Sequence, residues 1–396
     1  MSSTAPVSVS PLSSAKKTWA ESRLRLGQAN VGFWVLTCLW FLWTQPVLSA
    51  DTLGGNVGWW VALVGCYVLG QFPFDVVGGY TLPVVYGRRE AGFGAWLAQW
   101  MRGTWIHAAV LALVGSGVLW AGQAAGLAGS LGLMAAVAVV LIAVQGPLGR
   151  AVSHLPKGSR SAVLTDALQA AKVNEARVSV VKARDTSFVG GWVGVPGLER
   201  LVVASRWLET EEAPAVRILL ERRRLGISSG ARLQGLAFAL GFNAVGAGLA
   251  LTVMPGTGVG SAGELLMFST AVTLWSFLGL LTLPTLSRRA VYGLDRRVAD
   301  AVDDSMAVAR LISRLDRDQE DELDRGRIVE TIFHPVPAPA QRAMALRYPT
   351  PEPARFIPWR VARLSLFTSW ASLSLLSRAV HCNIGRPDLW VMYPGD

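Results

Sequence analysis

Histidine is nearly missing from this chain: there are 4 in 396 residues, and none between His154 and His334. An H-E-x-x-H zinc helix needs two imidazoles one helical turn apart, so the long middle of the chain carries no such helix. Cysteine is equally scarce. Cys38, Cys66 and Cys382 form no C-x-x-C pair, and the first two lie in apolar runs, so neither a disulfide framework nor a cysteine zinc site is indicated. No G-x-S-x-G, no P-loop and no G-x-G-x-x-G following a strand occurs, which removes the common nucleophile-elbow and phosphate-cradle chemistries. GGWVG and GTGVG read as turn or membrane-loop glycines. Charge is low at 16%, against about a quarter in soluble domains.

What is present is apolar surface: mean hydropathy is +0.38 and 16 residues are Trp. No charged side chain occurs over 26–50, 52–74, 103–149, 233–263 or 265–287. Each run is long enough to cross a bilayer, and 103–149 is long enough to cross twice with a turn near Gly122–Gly126. The fold class expected is mostly α and integral to the membrane. About six transmembrane helices accompany a small α+β cytoplasmic domain split by the last two spans. Residues 1–25 are expected as a disordered cytoplasmic tail, with 1–15 polar and rich in Pro and Ser. A four-span region 26–149 follows, then a cytoplasmic segment 150–232, a two-span hairpin 233–287, a cytoplasmic helical segment 288–346, and a tail 347–396.

The net charge of +10 falls on one side of this arrangement. Lys16, Lys17, Arg23 and Arg25 precede the first span, Arg88, Arg89 and Arg102 follow the second, and the opposite loops hold no Lys or Arg. That is a positive-inside pattern, placing a multi-pass protein in the cytoplasmic (inner) membrane with both termini cytoplasmic. The bilayer is the expected partner, together with a protein or peptide. No aromatic–basic motif points to nucleic acid. Trp59, Trp60, Trp96, Trp100, Trp105 and Trp120 lie near proposed span ends, as an interfacial belt would.

Within 150–232, ARVSVVKA and RLVVAS read as short strands, and SFVGGWVGVPG between them as turns. A helix is expected next, with Thr210 as N-cap and Pro214 in its first turn. Its Arg222–Arg224 run is expected to contact anionic headgroups. After residue 288 come a helical stretch through Ile312, an acidic–basic section and the Pro-rich FHPVPAPAQR. Residues 364–377 are expected as an interfacial helix, with Leu366, Phe367, Trp370 and Leu373 on one face. In 242–251, the small pairs Ala244/Gly248 and Gly246/Ala250 predict close packing against another span, with Gly248 as the test position.

In order along the chain, SFVGG, RLVVASRWLETEEAPAV, SRRAVYGLDRRVAD and FHPVPAPAQR resemble segments of the membrane gluzincins, the HtpX and CAAX prenyl-protease type of metallopeptidase. FPFDVVGGYTLPVVYGR resembles the loop after an early span in the prenyl-protease branch. The resemblance covers roughly 160–346. It implies a zinc helix at 210–230 lying beside a second helix at 287–310.

That resemblance places the two His positions on Arg223 and Ile227, the general base on Arg224, and the third ligand on Val291. A second register keeps Glu221 as base but puts Leu220 and Arg224 at the His positions. Asp295, His334 and Arg342 match residues the family retains, and Phe188, Gly190 and Gly191 match its peptide groove. A permanent guanidinium at a metal position opposes Zn²⁺. No cofactor is therefore expected, with zinc entering only if other ligands serve. Elsewhere, His107 at a span start reads as structural, and His154 as a loop residue. His381 and Cys382 are adjacent, too close to form a two-ligand pair alone.

The leading reading is a catalytically inactive homologue, a pseudopeptidase that binds or scaffolds a membrane or peptide partner. The alternatives are an active membrane zinc metallopeptidase with non-standard ligands, and a membrane chamber that handles lipids or small molecules.

Overall fold

The computed structural model describes residues 18–391 except 90–91, 253, 255–258, 320–321, 323, 349–356, 371–377 and 379. The disorder expected for 1–15 thus lies outside the described residues. The remainder of the supposed tail is corrected: α1 runs Trp19–Thr44, with Thr18 Oγ1 accepting the Glu21 N–H at 3.2 Å. Arg23 is buried there and donates to the carbonyls of Gln319 and His381, which ties the start of α1 to distant segments.

α2 (Leu53–Val76) does not end in a loop. It passes through one π-helical turn, Val77–Thr81, into α3 (Leu82–Val85), so the expected loop 72–88 is helical almost throughout. The widened turn has a cause. A Cβ on Gly79 would lie 1.8 Å from the Gly385 carbonyl oxygen, so the helix backbone itself is the surface on which the C-terminal segment packs.

α4 (Phe93–Ser153) is two helices joined at a break where Ala125 and Gly126 leave helical geometry, Gly126 at φ +59°. The halves fold back on each other, and Ser130 Oγ donates to the Val118 carbonyl at 3.4 Å. This break falls at the glycines where a turn was expected.

The mixed α/β unit begins with α5 (Ala162–Ala170), followed by β1 (Val178–Val181), β2 (Gly191–Val193) and β3 (Arg200–Ala204). The sheet order is β1-β3-β2, with β1 parallel and β2 antiparallel to β3. The glycine-rich stretch read as turns therefore contains a strand, and its glycines at positive φ (190, 191, 194 and 197) shape both ends.

α6 (Ser205–Thr210) precedes α7 (Ala213–Ser228). Thr210 closes α6 rather than capping α7: its hydroxyl donates to the Arg206 carbonyl, and Glu212 occupies the cap position. Pro214 stands in the first turn of α7 as expected.

α8 (Ala231–Thr252) and α9 (Ala262–Thr282) return through the membrane region, and α9 opens on a full capping box of Ser261 and Glu264. α10 (Pro284–Val302), α11 (Ser305–Gln319), α12 (Arg327–Phe333) and α13 (Pro339–Arg347) complete the mixed α/β unit. The helix expected through Ile312 is interrupted at Asp303, which adopts a left-handed conformation. Among the described residues, α1, α2–α3, α4, α8 and α9 are long and apolar enough to cross a membrane.

Three expectations about packing change. Trp60, Trp96 and Trp100 are buried, not interfacial, and each indole N–H has an acceptor: the Leu111 carbonyl, the Gly385 carbonyl and Asp75 Oδ2. Trp59, Trp105 and Trp120 are exposed, as a belt requires. In α8 the tight pair is Gly246/Ala250, since a Cβ on Gly246 would sit 2.0 Å from Trp275 Cδ1. Gly248 has nothing within 4 Å of a Cβ and faces outward.

The expected interfacial helix is the third. α14 (Val361–Thr368) is buried between α8, α9, α10 and α4. Asn243 Nδ2 donates to the Ser365 carbonyl and to Thr368 Oγ1, both at 2.9 Å. Trp370 follows in the main core, its Nε1 donating to Ser269 Oγ at 2.6 Å, with Trp60 and Phe268 beside it. A polar face of Ser and Thr suited water in the sequence pattern, but here the Ser365 and Thr368 hydroxyls bond Asn243 of α8 and Ser369 Oγ donates to the Leu366 carbonyl. The rest of that segment, 371–377, lies outside the described residues.

Candidate functional site

α7 and α10 lie side by side, as the resemblance implied, and what joins them is charge. Arg222 Nε donates to Asp295 Oδ1 at 3.0 Å, and Arg342 of α13 grips the same carboxylate with two bonds of 2.6 and 2.8 Å. All three residues are buried. Burial alone would push the Asp295 carboxyl up, but Arg342 and then Arg222 more than offset it and hold it below the usual carboxylate range. Asp295 is thus a fixed anion saturated by two guanidiniums.

The positions assigned to the zinc site follow the same logic. Arg223 is 2% exposed, its carbonyl accepts the Trp192 Nε1 proton at 2.7 Å, and its guanidinium lies against Gly191. Arg224 pairs with Glu221 at 2.5 Å, an interaction that raises the Arg224 pKa above its ordinary value. Ile227 packs at the edge of an apolar cluster containing Leu220, Ala290 and Leu294, and Val291 is buried. The expected headgroup contact of Arg222–Arg224 is corrected for its first two members, because Arg222 pairs with Asp295 and Arg223 is buried.

Zinc needs neutral imidazoles, carboxylates or thiolates free to coordinate. Arg223, Arg224, Ile227 and Val291 supply none, and Glu221 and Asp295 are engaged by arginines. This donor set does not fit the metal. Of the residues the family retains, Asp295 and Arg342 meet directly. His334 instead turns toward His381, with ring centroids 5.2 Å apart. His107 lies half-buried within α4, and His154 ends α4 and bonds Arg102 at 2.7 Å.

The C-terminal segment completes the site. Trp359 is buried over α7, where a Cβ on Gly226 would come within 2.4 Å of its ring, and its N–H bonds the Ala231 carbonyl at 3.0 Å. Beside Val291 it leaves a cavity of about 10 Å³. The expected peptide groove is likewise filled. Phe188 is buried in a core with Leu155 and Ile218. A Cβ on Gly190 would lie 2.0 Å from the Val202 carbonyl oxygen, and one on Gly191 about 3 Å from Arg223 and Arg360. The space beside them measures about 20 Å³, enough for about one water.

Two acidic centres escaped sequence reasoning. Asp75, fully buried, accepts from Gln71, Trp100, the Gly385 N–H and Arg378, which also stacks on Trp390 at 3.8 Å. The signal was available: a lone acid ends the uncharged run 52–74 and a lone base ends the run 364–377. An ionisable residue at membrane depth asks for such a partner. The second centre is Asp388. It accepts from Gln99 and from the N–H groups of Arg184 and Asp185, while Asp185 pairs with Arg386 at 2.5 Å. Burial, and then the Asp185 carboxylate, push Asp388 up to about 6. Asp185, despite burial, is held low by Arg386.

No protein-family model matches this chain, and no curated protein does. Among solved structures, the crystal structure of S. mikatae Ste24p matches with a TM-score of 0.63 over 75% of this chain and 76% of that one, at 10% sequence identity. A likeness at that identity is one of fold. The chain is a multi-pass membrane protein with the fold of a membrane metallopeptidase.

Proposed function

We propose that this chain is a catalytically inactive membrane metallopeptidase homologue, a pseudopeptidase whose helix pair α7–α10 holds structure together and presents a surface to a membrane or peptide partner. The observation that carries this reading is the Arg222–Asp295–Arg342 network. Asp295 of the second helix, a residue the resembled family retains, is bound here by two buried guanidiniums. Arg223 next to it puts a further permanent cation where an imidazole would be needed. We place the protein in the cytoplasmic membrane with both termini cytoplasmic, on the one-sided distribution of Lys and Arg.

Metal analysis of the purified full chain tests the reading. It predicts no stoichiometric zinc and no casein or peptide hydrolysis. The combined change Arg223→His, Arg224→Glu, Ile227→His and Val291→Glu is expected to raise zinc affinity, because the helices already stand in the required pairing. One tight zinc per wild-type chain, with proteolysis abolished by Glu221→Gln or His334→Ala, would overturn it and establish an active enzyme with other ligands. Reporter fusions test the orientation: Thr52 and Ala124 should read outside, and Arg89 and Lys157 cytoplasmic.

A further inference from the structure

The turn between β2 and β3 differs from the other connections of the mixed α/β unit. No charged side chain occurs from residue 186 to 198, whereas the α5–β1 connection carries Lys172, Glu175 and Arg177, and the α6–α7 connection carries Glu211 and Glu212. Leu198 is 72% exposed, and between residues 154 and 232 no other large hydrophobic is exposed among the described residues. Pro196 and Gly197 beside it are exposed too. A single surface leucine needs no partner. Its place in the fold gives it one.

The turn is held where two spans end. Arg232, the second residue of α8, donates from Nη2 to the Gly194 carbonyl at 2.6 Å and pairs with Glu199 at 3.4 Å. Both charged residues are buried, so they grip the hairpin on each side of its turn. From α4, a Cβ on Gly146 would lie 3.3 Å from Val193 Cγ2. Gly146 stands in the last charge-free turn of α4, before Arg150, and Arg232 is followed by the charge-free run from Leu233. The root of the hairpin therefore lies at the level where both helices leave the hydrocarbon. Leu198 adjoins Glu199, and the exposed Leu233 adjoins Arg232, so apolar side chains flank the buried pair on both partners.

We infer that the turn 195–198 dips into the bilayer leaflet at which α4 ends and α8 begins, with Pro196 and Leu198 reaching the acyl chains. Its backbone is suited to that medium. The Leu198 N–H donates to the Val195 carbonyl at 3.1 Å, Pro196 has no N–H, and Gly197 stands at φ +85°, the arrangement of a type II turn. A closed turn carries few bare polar groups into surroundings that cannot bond them. No charge enters with it, because Glu199 is turned onto Arg232. The exposed Arg200 follows at the foot of the hairpin, where a cation meets headgroup phosphates. The finger gives the α/β unit a second hold on the membrane besides the covalent passage from α7 to α8.

The test is spin labelling of the full chain in liposomes. Cys66 is the exposed native thiol and Cys38 and Cys382 are buried, so the labels go on a Cys66→Ser background. Leu198→Cys reports the turn, Val245→Cys on the exposed face of α8 reports lipid, and Glu212→Cys at the exposed N-cap of α7 reports water. Collision with oxygen relative to a nickel chelate should be about tenfold higher at 198 than at 212, and close to that at 245, because acyl chains take up oxygen and exclude a polar chelate. Leu198→Asp, read from a label at Pro196→Cys, should lose most of that protection at an unchanged melting temperature in detergent. Should Leu198→Cys fail to fold, Pro196→Cys alone reads the same turn. A label at 198 as open to the chelate as one at 212 overturns the inference. So does one shielded from oxygen and chelate alike, which would mean that a protein partner covers the turn. Neither readout involves metal or proteolysis, so failure here leaves the pseudopeptidase reading untouched.

Discussion

Two buried aspartates organise two halves of this molecule in different ways. Asp295 sits in the mixed α/β unit and binds Arg222 and Arg342, from helices that neighbour it in the fold and in the order of motifs. Asp75 sits at the C-terminal end of the apolar helix α2 and binds Arg378, 303 residues away, together with Trp100, Gln71 and the Gly385 N–H. The first carboxylate is surrounded by an excess of cations and welds three helices. The second is matched one to one and anchors the C-terminal segment inside the membrane bundle. The difference teaches what each half does with a buried charge: one uses it to join neighbouring helices, the other to hold a distant part of the chain against the bundle.

Removing each acid tests the contrast. Asp295→Ala strands two buried guanidiniums and should be the most damaging change, at the upper end of the about 3–5 kcal/mol seen when one partner of a buried pair is lost. Thermal or denaturant unfolding of the full chain in detergent measures it. Asp75→Ala strands one guanidinium and should cost about 3 kcal/mol. It should also make the segment after Trp359 cleavable by added protease while α7 and α10 remain protected. Equal protease sensitivity at both places would erase the distinction between a weld and an anchor.

Asp388 sharpens the picture of the anchor, since its carboxyl is pushed up to about 6 from an ordinary 3.8. The folded state therefore binds more protons than the unfolded state between those values, so this group's contribution to stability is largest below about pH 4 and falls as pH rises through about 6. Asp185 has the opposite sign: its lowered pKa gives stability above the unfolded value that is lost as pH falls. Asp388→Asn keeps an oxygen for the Arg184 and Asp185 N–H groups but removes the charge. It should raise stability at pH 7 by about 1–3 kcal/mol and change little at pH 4, seen as a pH-dependent shift in melting temperature.

The two halves also differ in how far the sequence disclosed them. The pairing of α7 with α10 was legible because the motifs occur in a fixed order and each lies on a short, periodic element, whereas the meeting of Asp295 with Arg342, 47 residues apart, was not foreseen. Nor was the burial of Arg222 and Arg223. A run of arginines beside a span has the same composition whether it faces headgroups or a buried carboxylate, and only the third dimension decides. The C-terminal segment was least legible. Ser365, Thr368 and Ser369 read as a wet face, yet Ser365 and Thr368 bond Asn243, Ser369 Oγ donates to the Leu366 carbonyl, and the neighbouring Trp370 indole N–H donates to Ser269 Oγ, 101 residues away. Contacts of that separation leave no local period to find.

The smallest expected effect bears on the membrane half alone and corrects a position. α8 carries two pairs of small residues four apart, and periodicity cannot say which pair meets α9. In the structure Gly246 abuts Trp275, whose Nε1 donates to the Phe242 carbonyl at 2.9 Å and whose ring stacks on Phe242 at 4.7 Å, so the indole is held from two sides and cannot yield. A side chain at Gly246 must therefore move the helix. Gly246→Leu should cost about 1–3 kcal/mol, the range for overpacking a closed contact. Gly248 points outward with open space around it, so Gly248→Leu should change the melting temperature little, and replacing glycine in a helix interior should if anything help by about 0.5–1 kcal/mol. The two variants differ only in which face of one helix receives the same leucine, so a larger loss at 248 than at 246 would mean that α8 is rotated relative to α9 and that the seam between these spans is wrongly placed.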